Sequence, residues 1–350
     1  MNKDGNRLKK VSLAWVLILM LVLSGCSAAP AENPGAGVYE SVETQSARDS
    51  EPIELTMLGG SPTGTWFMVT TGIGECINKS YPGSIVQITP GGGATNPPRI
   101  GNNEMEMGMT HNILAFAAKN GTDPFDQKYE NMEAVAAFYS SAFQFVMDSG
   151  VGITSFDEII EGKMKLRISI DKPGSSAQVL FLRMIKEYGV TLEDMETWGC
   201  KIYFKNFADS SKMLSDGLID GFGINTLAPA PVIVESSIGR DLVLLEMNAE
   251  KVASLSEQFG YAAYTIPADT YKFTDKDVNT ITATSILAVS SDVPEDKVYK
   301  VTRAIVENLD YMQDVHVALS TLTPESLTEN LSVNMHKGAE KYYREAGIIE

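Results

Sequence analysis

From residue 53 onward, short apolar runs of strand character alternate with longer segments of helical period. Residues 53–58 predict a strand, 65–79 a helix, 84–89 a strand, 94–102 a short helix and 105–109 a third strand. Each strand ends in a polar or glycine-rich turn. This alternation predicts an α/β fold with largely parallel strands, in which the turns at the carboxyl ends of the strands gather around a pocket.

Two β-like runs in succession, 134–139 and 143–147, break the alternation and mark the passage into a second lobe. Beyond them, 165–170 predicts a strand, 175–188 a helix, 207–215 a helix and 218–224 a strand, with 225–231 as a loop. Strand-like segments at 262–266 and 285–289, and a long amphipathic helix over 294–313, are expected to return to the first lobe. The expected plan is a first lobe over 53–140, a second over 141–258, and a return with C-terminal helices over 259–350. A folded length of about 300 residues normally divides in this way. No short-period repeat is present, which argues against a solenoid or propeller.

The N-terminus follows a different pattern. Lys3, Arg7, Lys9 and Lys10 stand against the single acid Asp4, and residues 11–23 are apolar apart from Ser12. A basic segment followed by an apolar one too short for a membrane helix, which needs about 20 residues, reads as a secretory signal over 1–25. Leu23-Ser24-Gly25-Cys26 resembles the bacterial lipobox, which implies cleavage before Cys26 and lipidation of its thiol. Residues 27–52 are rich in Ala, Pro, Gly, Ser and Glu and cannot bury enough surface to fold. They read as a tether spanning roughly 30 Å. The expected location is extracytoplasmic, with a lipid at Cys26 holding the chain to the bacterial cell membrane.

Charge narrows the partners. The formal net charge of −17 becomes −20 once the net +3 of the signal segment is removed, so nucleic acid is not an expected partner. Cys76 and Cys200 are too few for a disulfide framework and read as small buried hydrophobes.

Candidate ligand chemistry lies in the turns. Gly59-Gly60-Ser61-Pro62-Thr63-Gly64-Thr65-Trp66 joins a strand to a helix, where exposed amides favour an anion. Its glycine spacing imitates a P-loop, but Thr65 and Trp66 replace the required lysine and hydroxyl residue, which disfavours nucleoside triphosphates. A second such turn carries Gly92, Gly93, Ala94 and Thr95, with Arg99 nearby as either a ligand contact or a solvated side chain. His111 and Asn112 follow the third strand, at the cavity mouth, though Asn112 reads better as a helix cap. In the second lobe, the turn from Asp171 to Ser176 repeats the pattern through Gly174, Ser175 and Ser176, and Asn225 and Thr226 follow another strand. The candidate ligand residues are therefore Ser61, Thr63, Gly64, Thr65, Trp66, Gly92, Gly93, Ala94, Thr95, His111, Asn112, Gly174, Ser175, Ser176, Asn225 and Thr226.

Catalysis is weakly signalled. The three histidines, His111, His316 and His336, are far apart, and no HExxH, CxxC or GxSxG occurs. The expectation is a binding protein with no catalytic residue, metal or cofactor.

These motifs, taken in order, resemble those of the TAXI class of solute receptors, the extracytoplasmic subunits of tripartite ATP-independent periplasmic (TRAP) transporters. The resemblance rests on the turns at 59–67 and 90–96, on 148–162 followed by Gly174-Ser175-Ser176, on 266–271, and above all on residues 336–347. The last segment is similar to an HPGAxxYYxExG signature, with Lys337 in place of the proline. The acidic residue common just after the glycine-serine turn is replaced by Ala177 and Gln178. The resemblance implies a two-lobed class II periplasmic-binding fold with a hinge. It also implies capture of a small carboxylate-bearing solute such as glutamate or 2-oxoglutarate, and delivery to TRAP membrane subunits. A ligand-sensing lipoprotein that signals to a membrane kinase is the alternative these features leave open.

Overall fold

Strands buried on both faces pair in parallel when helices cover the two sides, and the opening strands of the first lobe pair in this way. The computed structural model describes residues 51–350. The signal segment, Cys26 and nearly all of the tether lie outside the described residues. The first lobe opens with β1 (Glu54–Leu58), α1 (Thr65–Ser80), β2 (Ile85–Thr89), α2 (Asn96–Gly101), β3 (Met107–His111) and α3 (Asn112–Asn120). β1 pairs in parallel with both β2 and β3, so the three strand ends meet on one edge.

The next strand, β4 (Met132–Asp148), departs from the sequence reading. Ser140 and Ser141 interrupt the apolar pattern and suggested two runs, yet the strand is continuous through them. The second lobe follows as α4 (Phe156–Glu161), β5 (Arg167–Ser169), α5 (Ser176–Glu187), α6 (Leu192–Thr197), β6 (Lys201–Tyr203) and α7 (Phe207–Ser215). It continues through β7 (Gly221–Thr226), α8 (Pro231–Ser236), β8 (Leu242–Leu244) and α9 (Ala249–Phe259). The chain closes with β9 (Ala262–Ile266), β10 (Val278–Ser290), α10 (Glu295–Glu307), α11 (Leu309–Val315) and α12 (Lys337–Glu345). The single helix expected over 294–313 is thus divided at Asn308.

One sheet runs through both lobes in the order β2-β1-β3-β10-β4-β7-β5-β6, with β8 on β4 and β9 on β10. β4 and β10 carry it across. The Met132 end of β4 pairs with β10, whose Ser285–Val289 part also pairs with β3, whereas residues 142–147 of β4 pair with β7. Two antiparallel strands thus join the lobes, with a register shift between Ser285 and Ile286 near the crossing.

Side-chain alternation places the cores. Phe143, Phe145 and Met147 of β4 face one apolar cluster with Ile168, Leu180 and Phe181, while the intervening Val146 faces another with Leu214, Phe222 and Ile224. In the first lobe, Leu55 and Met57 pack with Ile73, Ile77 and Val301, and Leu58 packs on the opposite face with Ile100 and Ile286. Ile266 of β9, expected with the first lobe, packs instead beside Phe222 and Ile224. Cys76 and Cys200 are buried free thiols.

The C-terminal signature is structural. His336 Nδ1 accepts from the Gly338 amide at 3.1 Å and caps α12, while its Nε2 lies 3.1 Å from the Val293 carbonyl. A side chain at Gly338 would put Cβ 2.2 Å from the Glu295 carbonyl oxygen, so the helix can approach only as glycine.

One side chain sets the strand-end turns of the first lobe. Asn96 is fully buried, and its Nδ2 donates to the carbonyls of Gly59 at 2.9 Å and Met109 at 2.7 Å, while Oδ1 accepts from the Gly92 amide at 3.0 Å. Three strand exits are therefore tied by one carboxamide. Asn96→Ala leaves two carbonyls and one amide to find other partners. Urea unfolding is expected to show a loss of about 2–4 kcal/mol; a loss below about 0.5 kcal/mol would contradict this role.

Candidate functional site

The turns so tied open onto a cavity of about 60 Å³ bordered by both lobes. From the first lobe it is lined by Gly60, Ser61, Gly64, Thr65, Trp66, Gly91, Gly92, Gly93 and His111, with Tyr139 from the crossing strand. The second lobe supplies Asp171, Ser175, Ser176, Ala177, Phe207, Asn225 and Thr226.

Local structure explains what these turns offer. Gly64 is the N-cap of α1 and has no side chain with which to accept from the first-turn amides. The Phe67 amide turns back to the Gly64 carbonyl at 3.0 Å, which leaves the Thr65 and Trp66 amides to a ligand. At the start of α5, Ser175 Oγ accepts from the Gln178 amide at 3.1 Å, a cap that occupies only one first-turn donor. The first two turns are also joined to each other, with the Gly91 amide donating to the Gly60 carbonyl at 3.1 Å.

The lobes touch around this cavity. The Ala94 amide donates to the Gly174 carbonyl at 2.9 Å, and His111 Nδ1 lies 2.8 Å from Ser176 Oγ. A Cβ added at Gly93 would stand 1.9 Å from Ser176 Oγ, so glycine permits this approach. A further link is buried Arg183 of α5, whose Nε donates to Asp123 at 3.0 Å and whose guanidinium lies over the Phe259 ring.

Not all the candidate residues from the sequence enter the lining. Thr63 is exposed at the tip of its turn. Ala94, Thr95 and Gly174 are used in the contact between lobes, Thr95 Oγ1 donating to the Gly92 carbonyl at 3.2 Å. Asn112 lies outside the lining, and His111, not Asn112, is the cap of α3. Asn112 braces β10, accepting from the Thr284 amide at 3.1 Å and donating to Ser332 at 3.0 Å. Arg99 lies outside the lining, 3.7 Å from Glu104. Asn225 and Thr226 are the last residues of β7, where a loop was expected. Trp66 presents its ring to His111, 4.8 Å between centroids, and donates its indole N–H to Ser285 at 2.9 Å.

Tyr139, Asp171 and Phe207 were absent from the candidate set. Asp171 carried a legible signal, since an acid between a strand and a Pro-Gly turn tolerates the left-handed backbone it adopts here, φ +66°. Tyr139 and Phe207 carried none beyond that of ordinary core residues.

Electrostatically the cavity is unusual in having a carboxylate and no lysine or arginine in its lining. Asp171 is only 4% exposed and its Oδ1 has no protein partner. Burial raises its carboxyl to about 6, against weaker stabilisation of the charge by the Lys172 backbone, Ser175 and the Lys172 charge. His111 Nε2 is likewise buried without a partner, and burial lowers its pKa to about 3. Burial also pushes the Tyr139 phenol up to about 12, opposed by the hydroxyls of Ser285, Thr65, Ser141 and Thr226.

The two shifts act oppositely on stability. Below its unfolded value His111 resists protonation in the fold, so its contribution is lost as pH falls from 6.5 toward 3. Asp171 resists ionisation, so stability is lost as pH rises from 3.8 to about 6. Asp171→Asn is therefore expected to raise stability above pH 6 by about 2–3 kcal/mol. The gain should shrink toward zero by pH 4 in urea melts; equal stability of both proteins at pH 7.5 would contradict a carboxylate whose burial outweighs its partners.

The fold has relatives among solved structures. The periplasmic binding protein BugD superposes with a TM-score of 0.52, covering 85% of this chain and 98% of that chain at 13% identity. Methylphosphonate-bound PhnD1 from Prochlorococcus marinus gives 0.47 at 12% identity, with 85% and 99% covered. The aliphatic sulphonate binding protein SsuA of Escherichia coli gives 0.41 at 12% identity, with 85% and 88% covered. The likeness to BugD, together with two lobes joined by β4 and β10, shows the two-lobed class II periplasmic-binding fold that the family resemblance implied. Residues 57–347 match the family model described as NMT1-like, and the chain belongs to the NMT1-like family.

Proposed function

We propose that this protein is a solute receptor that captures a small carboxylate-bearing molecule between its lobes. The observation that carries the reading is the cavity itself, which draws glycine-hydroxyl turns and helix-opening amides from both lobes. Oriented amides at a helix start suit a carboxylate, and their hydrogen bonds strengthen when closure excludes water. The resemblance of 59–67, 90–96 and 336–347 to TAXI receptors supports delivery of the solute to the membrane subunits of a TRAP transporter. The lipobox-like Leu23-Ser24-Gly25-Cys26 supports extracytoplasmic anchoring through lipid on Cys26.

Ser176 and His111 form the contact a nucleophile and its base would need, but their setting opposes catalysis. Accepting a proton would create an imidazolium in a site where burial already holds His111 neutral. The other ring nitrogen has no protein partner, so no carboxylate stabilises that charge. We read the pair as a contact between lobes.

Calorimetry against amino acids, 2-oxo acids and dicarboxylates, with small-angle scattering of the same mixtures, tests capture. Binding of one solute with a smaller radius of gyration is expected, and no binding with unchanged scattering across the panel would refute the reading. Gly93→Ala prevents the approach of Ser176 and is expected to weaken the bound solute roughly tenfold or more; unchanged affinity would show that closure does not depend on this contact.

A further inference from the structure

The acceptors left over in the cavity narrow the solute. Asp171 Oδ1 and Asn225 Oδ1 are both buried without a protein partner in the same lining. Buried acceptor atoms left without partners are costly, so a bound molecule that brings donors gains where one bringing only acceptors loses. The Lys172 side chain is exposed and outside the lining. The Lys172 charge acts on Asp171 only from outside the cavity, so a cationic group on a solute would be the one counter-charge inside it.

We propose that the solute is an α-amino acid with an uncharged side chain, its ammonium group held by Asp171 and its carboxylate by the amides that open α1 and α5. The inference rests on the capture reading above and specifies its chemical class.

Charge balance separates this class from its neighbours. Each helix start presents roughly half a positive charge, so α1 and α5 together offset about one negative charge. Asp171 supplies one negative charge and the lining supplies no lysine or arginine. A zwitterion leaves the closed cavity near neutrality. A 2-oxo dicarboxylate adds two negative charges and sets acceptors against Asp171 and Asn225. Glutamate adds one uncompensated negative charge, and a basic amino acid one uncompensated positive charge.

Calorimetry at pH 7.5 on the full chain, using the common amino acids and the 2-oxo acids of matching side chain, tests the assignment. An uncharged amino acid is expected to bind roughly 100-fold or more tighter than its 2-oxo counterpart, since the analogue leaves the buried acceptor unpaired. In Asp171→Asn and Asp171→Ser that ratio should fall to within about threefold, with circular dichroism reporting an intact fold. Tightest binding of glutamate, of a basic amino acid or of any 2-oxo acid would overturn the inference and leave capture standing, as would an unchanged ratio in both variants. Absence of binding by every compound overturns capture and this inference together.

Discussion

A backbone donor or acceptor taken out of water must find a partner, and the placement of partners at the strand ends decides what this cavity can hold. In the first lobe one carboxamide, that of Asn96, takes two carbonyls and one amide from three successive strand exits. Thr110 Oγ1 donates to the Gly93 carbonyl at 2.7 Å and secures the same corner. The turns are held by groups behind them, so the amides at the start of α1 remain facing the cavity. Gly64 at the cap position completes this, since serine or aspartate there would take those amides for the protein itself.

The second constraint is the pair of strands that join the lobes. β4 and β10 pass through both halves of the sheet, with polar Ser140, Ser141 and Ser285 at the crossing, where Ser141 and Ser285 lie 2.9 Å apart. A two-strand connection with a register shift permits relative movement. Near the cavity the lobes meet through the Ala94 amide on the Gly174 carbonyl and His111 on Ser176, with the buried Arg183 pair to one side, and Ile113 and Leu114 of α3 pack into the second-lobe core.

Much of this was legible in the sequence because the turns carry chemistry of their own. Glycine and hydroxyl residues between a strand and a helix announced Ser61, Gly64, Thr65, Gly92, Gly93, Ser175 and Ser176, and all of these line the cavity. What the pattern could not show was direction. Thr63 differs from Thr65 by two positions, yet one is at a solvated tip and the other begins a helix. Ala94, Thr95 and Gly174 belong to the right turns but serve the contact between lobes, a relation between distant segments that local pattern does not encode. Asn112 was read from its place after a strand, whereas its amide is used across the sheet by Thr284. Tyr139 was hidden because a buried aromatic in a strand reads as core. Ser140 and Ser141 misled the strand reading for the opposite reason, being polar residues that the crossing buries or pairs in place of a turn.

Hydrogen exchange measured by mass spectrometry, with and without the best-binding solute, tests the shared cavity most directly. The account predicts that amides at 60–66 and 91–94 in the first lobe and 174–177 in the second slow together when solute is added. Slowing confined to one lobe, or none at either set of turns while the solute is bound, would contradict capture between the two.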